Sequence, residues 1–514
     1  MNFHLRNFFL IFILFLSFYG LTSRGSIDTD DAWHQLRLTE NFLFKGSFLL
    51  PYQDDALVSE NVSDNLFVPI GQAALMIPLY ILDQKFSVSF LNVIFGALLC
   101  ALFYLFCTSS FSHRTSFYLT LGLGFSTLLW PYSKSLYNNI EEAFFVFLAF
   151  FLSSRYLKKP SLLTLFFILL SALGAFFIRM SGIIPCLIFF VFALFYASKN
   201  HRIILVAFTT ILISIFISWN LVFYHHIFGI FKHISIESLL SLSFFKNAFP
   251  TPLYQGLFGL LLSPGKGFFI YTPLACLGTL GFYTLYQRTC LDSRPLFYLM
   301  MALLVSYILF YSKLEFWAGD FAWGPRYLVV LTPYFILSIG YLWEQKRNFI
   351  KPIFLTLACL GFLIQIPSIV TSTTHLYYDY LVKEKIPHDF HLTPLAFDIY
   401  SNPRLSPIFL GWKKTFEIAS RMKTYKYQPL PDNFYAGLAK VMRESKKEED
   451  YAPFLKQAPV FNIFDLWWLH EWYTHTSSRA HTRTFTLRLL LLLVSMLLMS
   501  SCGLLYFSIS DRRD

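Results

Sequence analysis

Three aspartates, Asp28, Asp30 and Asp31, fall within four residues in the run Asp28-Thr29-Asp30-Asp31-Ala32-Trp33-His34. They follow an apolar stretch by only a few positions. Carboxylates at the edge of a membrane span are costly unless they are solvated or used. One of them could take a proton from an acceptor as a new bond forms, with neighbouring carboxylates raising its proton affinity. Asp30 and Asp31 could also hold a divalent cation, Mg or Mn, through oxygen ligands. The same residues equally suit the start of a capped amphipathic helix ending at Gly46. Both readings can hold, since one Asp can cap while another reacts. His34 is a further site candidate, without metal-ligand spacing.

Other chemistry-bearing groups recur along the chain. Glu141 and Glu142 open an apolar run, where ionisable groups usually face a cavity or a partner; a helix dipole would also favour them there. Ser263-Pro264-Gly265-Lys266-Gly267 reads as a tight turn at a helix start, and its backbone amides with Lys266 would suit a phosphate. Asp320 and Arg326 flank a Trp- and Gly-rich turn. The planar donors of Arg326 match phosphate oxygens, although Trp and Arg also anchor spans at the interface. Lys313 lies near that turn. Arg179 either snorkels or meets an anionic donor.

The elements that must position these residues are membrane helices. The chain has 514 residues, 56% hydrophobic and 14% charged, with a mean hydropathy of +0.53. Soluble domains carry about 25% charged residues. The net charge of +11 sits in short loops between spans, which is the positive-inside pattern and argues against nucleic-acid binding. Nearly all of the seven cysteines fall in apolar spans, with neither a disulfide framework nor zinc spacing. The first apolar run, 5–22, lacks a small-x-small cleavage site and reads as a retained anchor.

About twelve spans are expected, near 5–22, 88–108, 115–131, 139–154, 161–178, 181–197, 203–223, 267–286, 295–311, 326–343, 350–369 and 485–508. The run 67–82, flanked by Pro69 and Pro78, is expected to be re-entrant or interfacial. With the N-terminus inside, all the cytoplasmic loops are basic and the outer loop 23–66 is acidic. A second outer segment, 371–484, is too long for a connector and is expected to form a small α-rich domain. The predicted division is a transmembrane core over 1–370, the outer domain over 371–484, and a last span and tail over 485–514. Arg443–Asp450 reads as a solvated helix face.

These residues carry a resemblance. The chain resembles the GT-C superfamily of integral-membrane glycosyltransferases, near the bacterial relatives of dolichyl-phosphate-mannose protein mannosyltransferases and of aminoarabinose transferases. Asp30-Asp31 and Gly46 match the acidic pair and later Gly of that family's first outer loop. Phe67-Val68-Pro69-Ile70-Gly71 keeps one Pro and the Gly of a Pro-Pro-Gly-like segment but lacks its preceding Lys. The region from Tyr132-Ser133 to Glu141-Glu142 resembles the second acidic site. Ser263–Gly267, Gly324–Leu328, Ser406-Pro407 and Phe464–Trp468 resemble signatures of a bacterial subgroup.

The resemblance implies an all-α polytopic bundle in the cytoplasmic membrane of a bacterium. It implies transfer of a hexose or pentose from a polyprenyl-phosphate carrier to a glycan, lipid or protein at the outer face, by inverting displacement. Asp30 or Asp31 would be the base, and Glu141 or Glu142 would support the site or a metal. Arg326 with Lys266 would hold the donor phosphate. The outer segment 371–484 would choose the acceptor. The main rival is a transporter or flippase of lipid-linked sugars, which would share the spans and cationic contacts but would not require the Asp pair. Such proteins usually show paired repeats with broken helices, and no such repeat is evident here.

Overall fold

Long apolar runs in a chain with few charges can satisfy their backbone in lipid only as helices or closed barrels. In the computed structural model every regular element among the described residues is helical, as the sequence leads one to expect. The structure describes residues 3–27, 29–46, 69–203, 206, 210, 214, 218, 249–288, 294–319, 321–345, 348–372, 376, 395–422, 463–474 and 480–510. Most of the loop 23–66, most of the expected span 203–223, and much of 371–484 with Arg443–Asp450 lie outside these residues. Among the described residues five helices are long and apolar enough to cross a membrane, or six if one bent pair counts as a single span.

The first arm of the bent pair covers the described part of the expected re-entrant or interfacial run 67–82, and the second covers the expected span 88–108. Gly71–Val88 forms a helix that meets Leu91–Cys107 at 101°. Inside the first arm Asp83 and Gln84 leave helical geometry, with φ +42 at Gln84. Two expected single spans are interrupted. The first divides into His113–Phe125 and Leu129–Lys134. The other divides into Phe268–Tyr271 and Leu274–Arg288, where Pro273 biases Thr272 away from helical geometry. The expected span 326–343 begins as a 3-10 helix over Arg326–Leu331 and becomes α-helical over Thr332–Trp343.

Packing follows small residues. Gly278 and Gly281 face the backbone at Phe335 and Ser338. Their missing side chains let Leu274–Arg288 approach Thr332–Trp343 closely. Ser338 Oγ then donates to Gly278 O at 2.6 Å. The N-terminal helix Phe3–Thr22 packs between Leu91–Cys107 and the last helix, Ala480–Ser510.

The helix Asp30–Lys45 starts and ends for local reasons. Thr29, in extended geometry, is the N-cap, and its side chain accepts from Ala32 N at 3.2 Å. The cap is therefore a threonine, which leaves Asp30 and Asp31 in the first turn. Gly46 at φ +66 closes the helix, as anticipated. Gln35 ties this helix to the next: Nε2 donates to Pro69 O at 2.8 Å, and Oε1 accepts from Ala73 N at 3.0 Å. The second bond satisfies one of the amides that a helix start leaves without an intrahelical acceptor.

The turn between Thr22 and Thr29 depends on Gly25, at φ +73. A Cβ there would overlap that of Trp467. We expect Gly25→Ala to cost about 1–3 kcal/mol from the left-handed backbone and the clash together. A thermal melt of the purified protein checks this, and an unchanged midpoint would rule it out.

Candidate active site

The turn around Gly319 and Gly324 carries Arg326 to Asp31. Gly319 and Gly324 take φ +67 and +62, which only glycine adopts freely. Tyr132 Oη donates to Trp323 O at 2.9 Å and pins the turn to the helix Leu129–Lys134. Arg326 is thereby held at the start of its 3-10 helix, 8% exposed. Its Nη1 donates to Asp31 Oδ2 at 3.2 Å. The guanidinium also lies over Tyr137 and Tyr327, at 5.2 and 5.1 Å from the ring centroids. Asp31 is exposed, so one end of the pair faces open space and the other is embedded in aromatic rings.

A second guanidinium shares this aromatic bed. Arg179 lies 4.7 Å over the Tyr327 ring. Tyr327 itself stacks on Tyr311 at 4.2 Å. Arg179 caps the helix Leu162–Ile178, and its Nη1 is buried without a hydrogen-bond partner. Glu142 is the adjacent carboxylate. Its Oε1 accepts from Tyr307 Oη at 2.8 Å and from Ser181 Oγ at 3.0 Å. Glu141 turns elsewhere and accepts from Gln72 Nε2 at 2.8 Å. Its Oε2 is buried without a partner. The two glutamates are thus separated by the helix twist: one joins the arginine–tyrosine cluster, and the other meets the bent helix pair.

The remaining sequence candidates are placed as follows. Lys266 Nζ donates to Ala322 O at 2.6 Å and lies 4.9 Å over the Tyr400 ring. The Ser263–Gly267 turn is held by Gly265 N donating to Tyr400 O at 2.8 Å. The lysine thus braces the Trp323 turn. Lys313 Nζ donates to Thr251 O at 2.9 Å. His34 is half-buried on the helix Asp30–Lys45. Asp28, Asp320 and the Asp30 side chain lie outside the described residues. No group of three or more His, Cys, Asp or Glu among the described residues is arranged to hold a metal ion. The cation expected at Asp30 and Asp31 therefore has only the sequence behind it.

No protein-family model matches the chain, and no curated protein does. Among solved structures, its helical arrangement is similar to that of ArnT from Cupriavidus metallidurans bound to undecaprenyl phosphate. That likeness has 12% identity and a TM-score of 0.43, over 88% of this chain and 75% of that one. The same protein in its apo state gives 14% identity and a TM-score of 0.42, over 87% and 73%.

A buried charge cluster beside this site was not foreseen. Asp465 Oδ1 accepts from Arg24 Nε at 2.8 Å, and Oδ2 accepts from Lys134 Nζ at 2.7 Å. His470 Nε2 stands 3.1 Å from Oδ1. Lys134 also donates to Ile369 O at 2.6 Å. Burial opposes charge on Asp465, but Arg24 and Lys134, helped by His470, outweigh it and hold the carboxyl well below the usual carboxylate range. A cavity of about 30 Å³ adjoins the cluster, lined in part by Tyr132, Tyr137 and Trp323. That is the size for water, not for a sugar ring. The signals in the sequence were Lys134 in an otherwise uncharged run and Asp465 in Phe464–Trp468. Neither indicates its partner, since more than 300 residues separate them.

Proposed function

We propose that this chain moves a sugar from a polyprenyl-phosphate carrier to a glycan, lipid or protein acceptor at the outer face of the cytoplasmic membrane. The observation that carries the reading is the Asp31–Arg326 pair, with Arg179 on the same Tyr327 ring. As the bond between the anomeric carbon and the phosphate oxygen breaks, negative charge collects on the leaving phosphate. Two guanidinium groups in a low-dielectric aromatic bed stabilise that charge. The acceptor hydroxyl attacks from the opposite face, and its proton goes to Asp30 or Asp31. A single displacement inverts the anomeric centre. Glu142, held by Tyr307 and Ser181, is assigned the role of countercharge to Arg179. The segment 371–484 is assigned the choice of acceptor.

The test is sugar transfer in membranes supplied with radiolabelled polyprenyl-phosphate sugars. Label is expected to move to a membrane product. Arg326→Met is expected to lower kcat/KM about 10- to 100-fold, the worth of charged hydrogen bonds of about 1.5–3 kcal/mol. Arg326→Lys recovers little, because a point charge does not replace a planar fork. Absence of transfer from every donor, with lipid-linked sugar crossing the bilayer instead, would favour a flippase and sink the reading.

A further inference from the structure

Asp465 connects to both sides of the Asp31–Arg326 pair. Through Arg24 it holds the turn that leads into the helix Asp30–Lys45. The backbone runs parallel to that ion pair: Trp467 N donates to Ser23 O at 3.0 Å. Trp467 Nε1 donates to Gly20 O at 2.8 Å, and Trp468 Nε1 to Leu21 O at 3.0 Å. Through Lys134 the same carboxylate holds the end of the helix Leu129–Lys134. That helix supplies Tyr132, which bonds Trp323 O three residues before Arg326. Tyr137, just beyond the helix, lies under the Arg326 guanidinium. Each oxygen of one side chain therefore reaches one of the two elements that set the pair.

Stability alone does not call for this arrangement. Apolar side chains of similar volume often serve as well as a buried ion pair. What charges add is direction: two cations must meet one carboxylate at defined angles. We propose that Asp465 is a positioning residue, fixing the spacing of Asp31 and Arg326 by holding Arg24 and Lys134. It touches neither residue of the pair. Its consequence for catalysis rests on the transferase reading, but its consequence for geometry does not.

The experiment measures that geometry first. In a cysteine-free background, Asp31→Cys and Arg326→Cys are introduced together, and membranes are treated with bis-thiosulfonate linkers of graded length. Arg24→Gln/Lys134→Met/Asp465→Asn is then added. This triple change removes the three charges that meet at Asp465 together. Cross-linking is expected to slow by roughly an order of magnitude as the effective concentration of the two thiols falls. A second variant, Asp465→Glu, keeps the charge but adds one methylene, and is expected to shift the preferred linker length. A well-folded triple variant that cross-links at the parent rate would overturn the proposal. So would an unchanged length preference in Asp465→Glu.

Transfer is measured in parallel with the native cysteines. Misplacement by about 1 Å costs on the order of 10²-fold, so the triple variant should lose that much in kcat, with the donor KM little changed. A loss confined to KM would contradict a positioning role. Cross-linking needs no turnover, so if the transferase reading fails, the geometric result still stands.

Discussion

Converting both Asp30 and Asp31 to Asn should lower kcat for sugar transfer by about 10²–10⁴-fold, the usual contribution of a general base. The amide keeps shape and hydrogen bonding but cannot accept the acceptor's proton. The donor KM should change little, since a group used only in the transition state affects kcat and kcat/KM alike. The fold should survive, because the Asp31 side chain is 57% exposed and the helix is capped by Thr29. The two single variants rank the pair. If Asp31 is the base, Asp31→Asn reproduces the double loss. If Asp31 serves only to hold Arg326, Asp30→Asn carries the large loss and Asp31→Asn the smaller one. Transfer by the double variant at the wild-type rate would remove the assignment. Retained movement of lipid-linked sugar across the bilayer, with transfer never detected, would mark the carboxylates as unused.

The second large effect concerns stability. Asp465→Asn removes the carboxylate that Arg24 and Lys134, 4% and 7% exposed, share. Removing one partner from a buried pair costs about 3–5 kcal/mol. The same carboxylate gives a signed pH dependence. Its folded pKa lies below its unfolded value of about 3.9. The stability it contributes is therefore fully present above about pH 4 and lost as pH falls through the folded value. Thermal midpoints in detergent should fall for wild type across that acid range. Asp465→Asn should start lower and lose less of its midpoint there. A parallel decline in both proteins would show that Asp465 is not the titrating group.

Local signals decided a large part of this protein. The apolar runs require helices wherever they occur, because backbone groups in lipid have few other ways to be satisfied. The helix Asp30–Lys45 ends at Gly46 because only glycine adopts that left-handed geometry freely. Asp30 or Asp31, Glu141 or Glu142, Arg179 and Arg326 were candidates by residue type and by position at span ends. In the fold Asp31 bonds Arg326, and Arg179 lies over the Tyr327 ring that Arg326 also meets.

Other features could be decided only by tertiary structure. Glu141 and Glu142 are adjacent in sequence and equivalent in type, yet one faces Gln72 and the other Tyr307. Which neighbours the helix rotation presents depends on packing, not on the two residues themselves. Lys266 was a phosphate-ligand candidate from its glycine-rich turn, and only the packing shows that its ammonium also donates to the carbonyl of Ala322, 56 residues away. Lys134 and Asp465 stand out locally, but nothing around them or Arg24 indicates a partner. Ion pairing across 441 and 331 residues depends on where the chain returns after crossing the bundle. Sequence by itself determined that the regular elements among the described residues are helical and which groups carry charge, because propensity, hydropathy and capping act over a few residues. The choice of partner for each charge fell to the tertiary structure, because a buried ion must find whatever opposite charge the completed packing brings within reach.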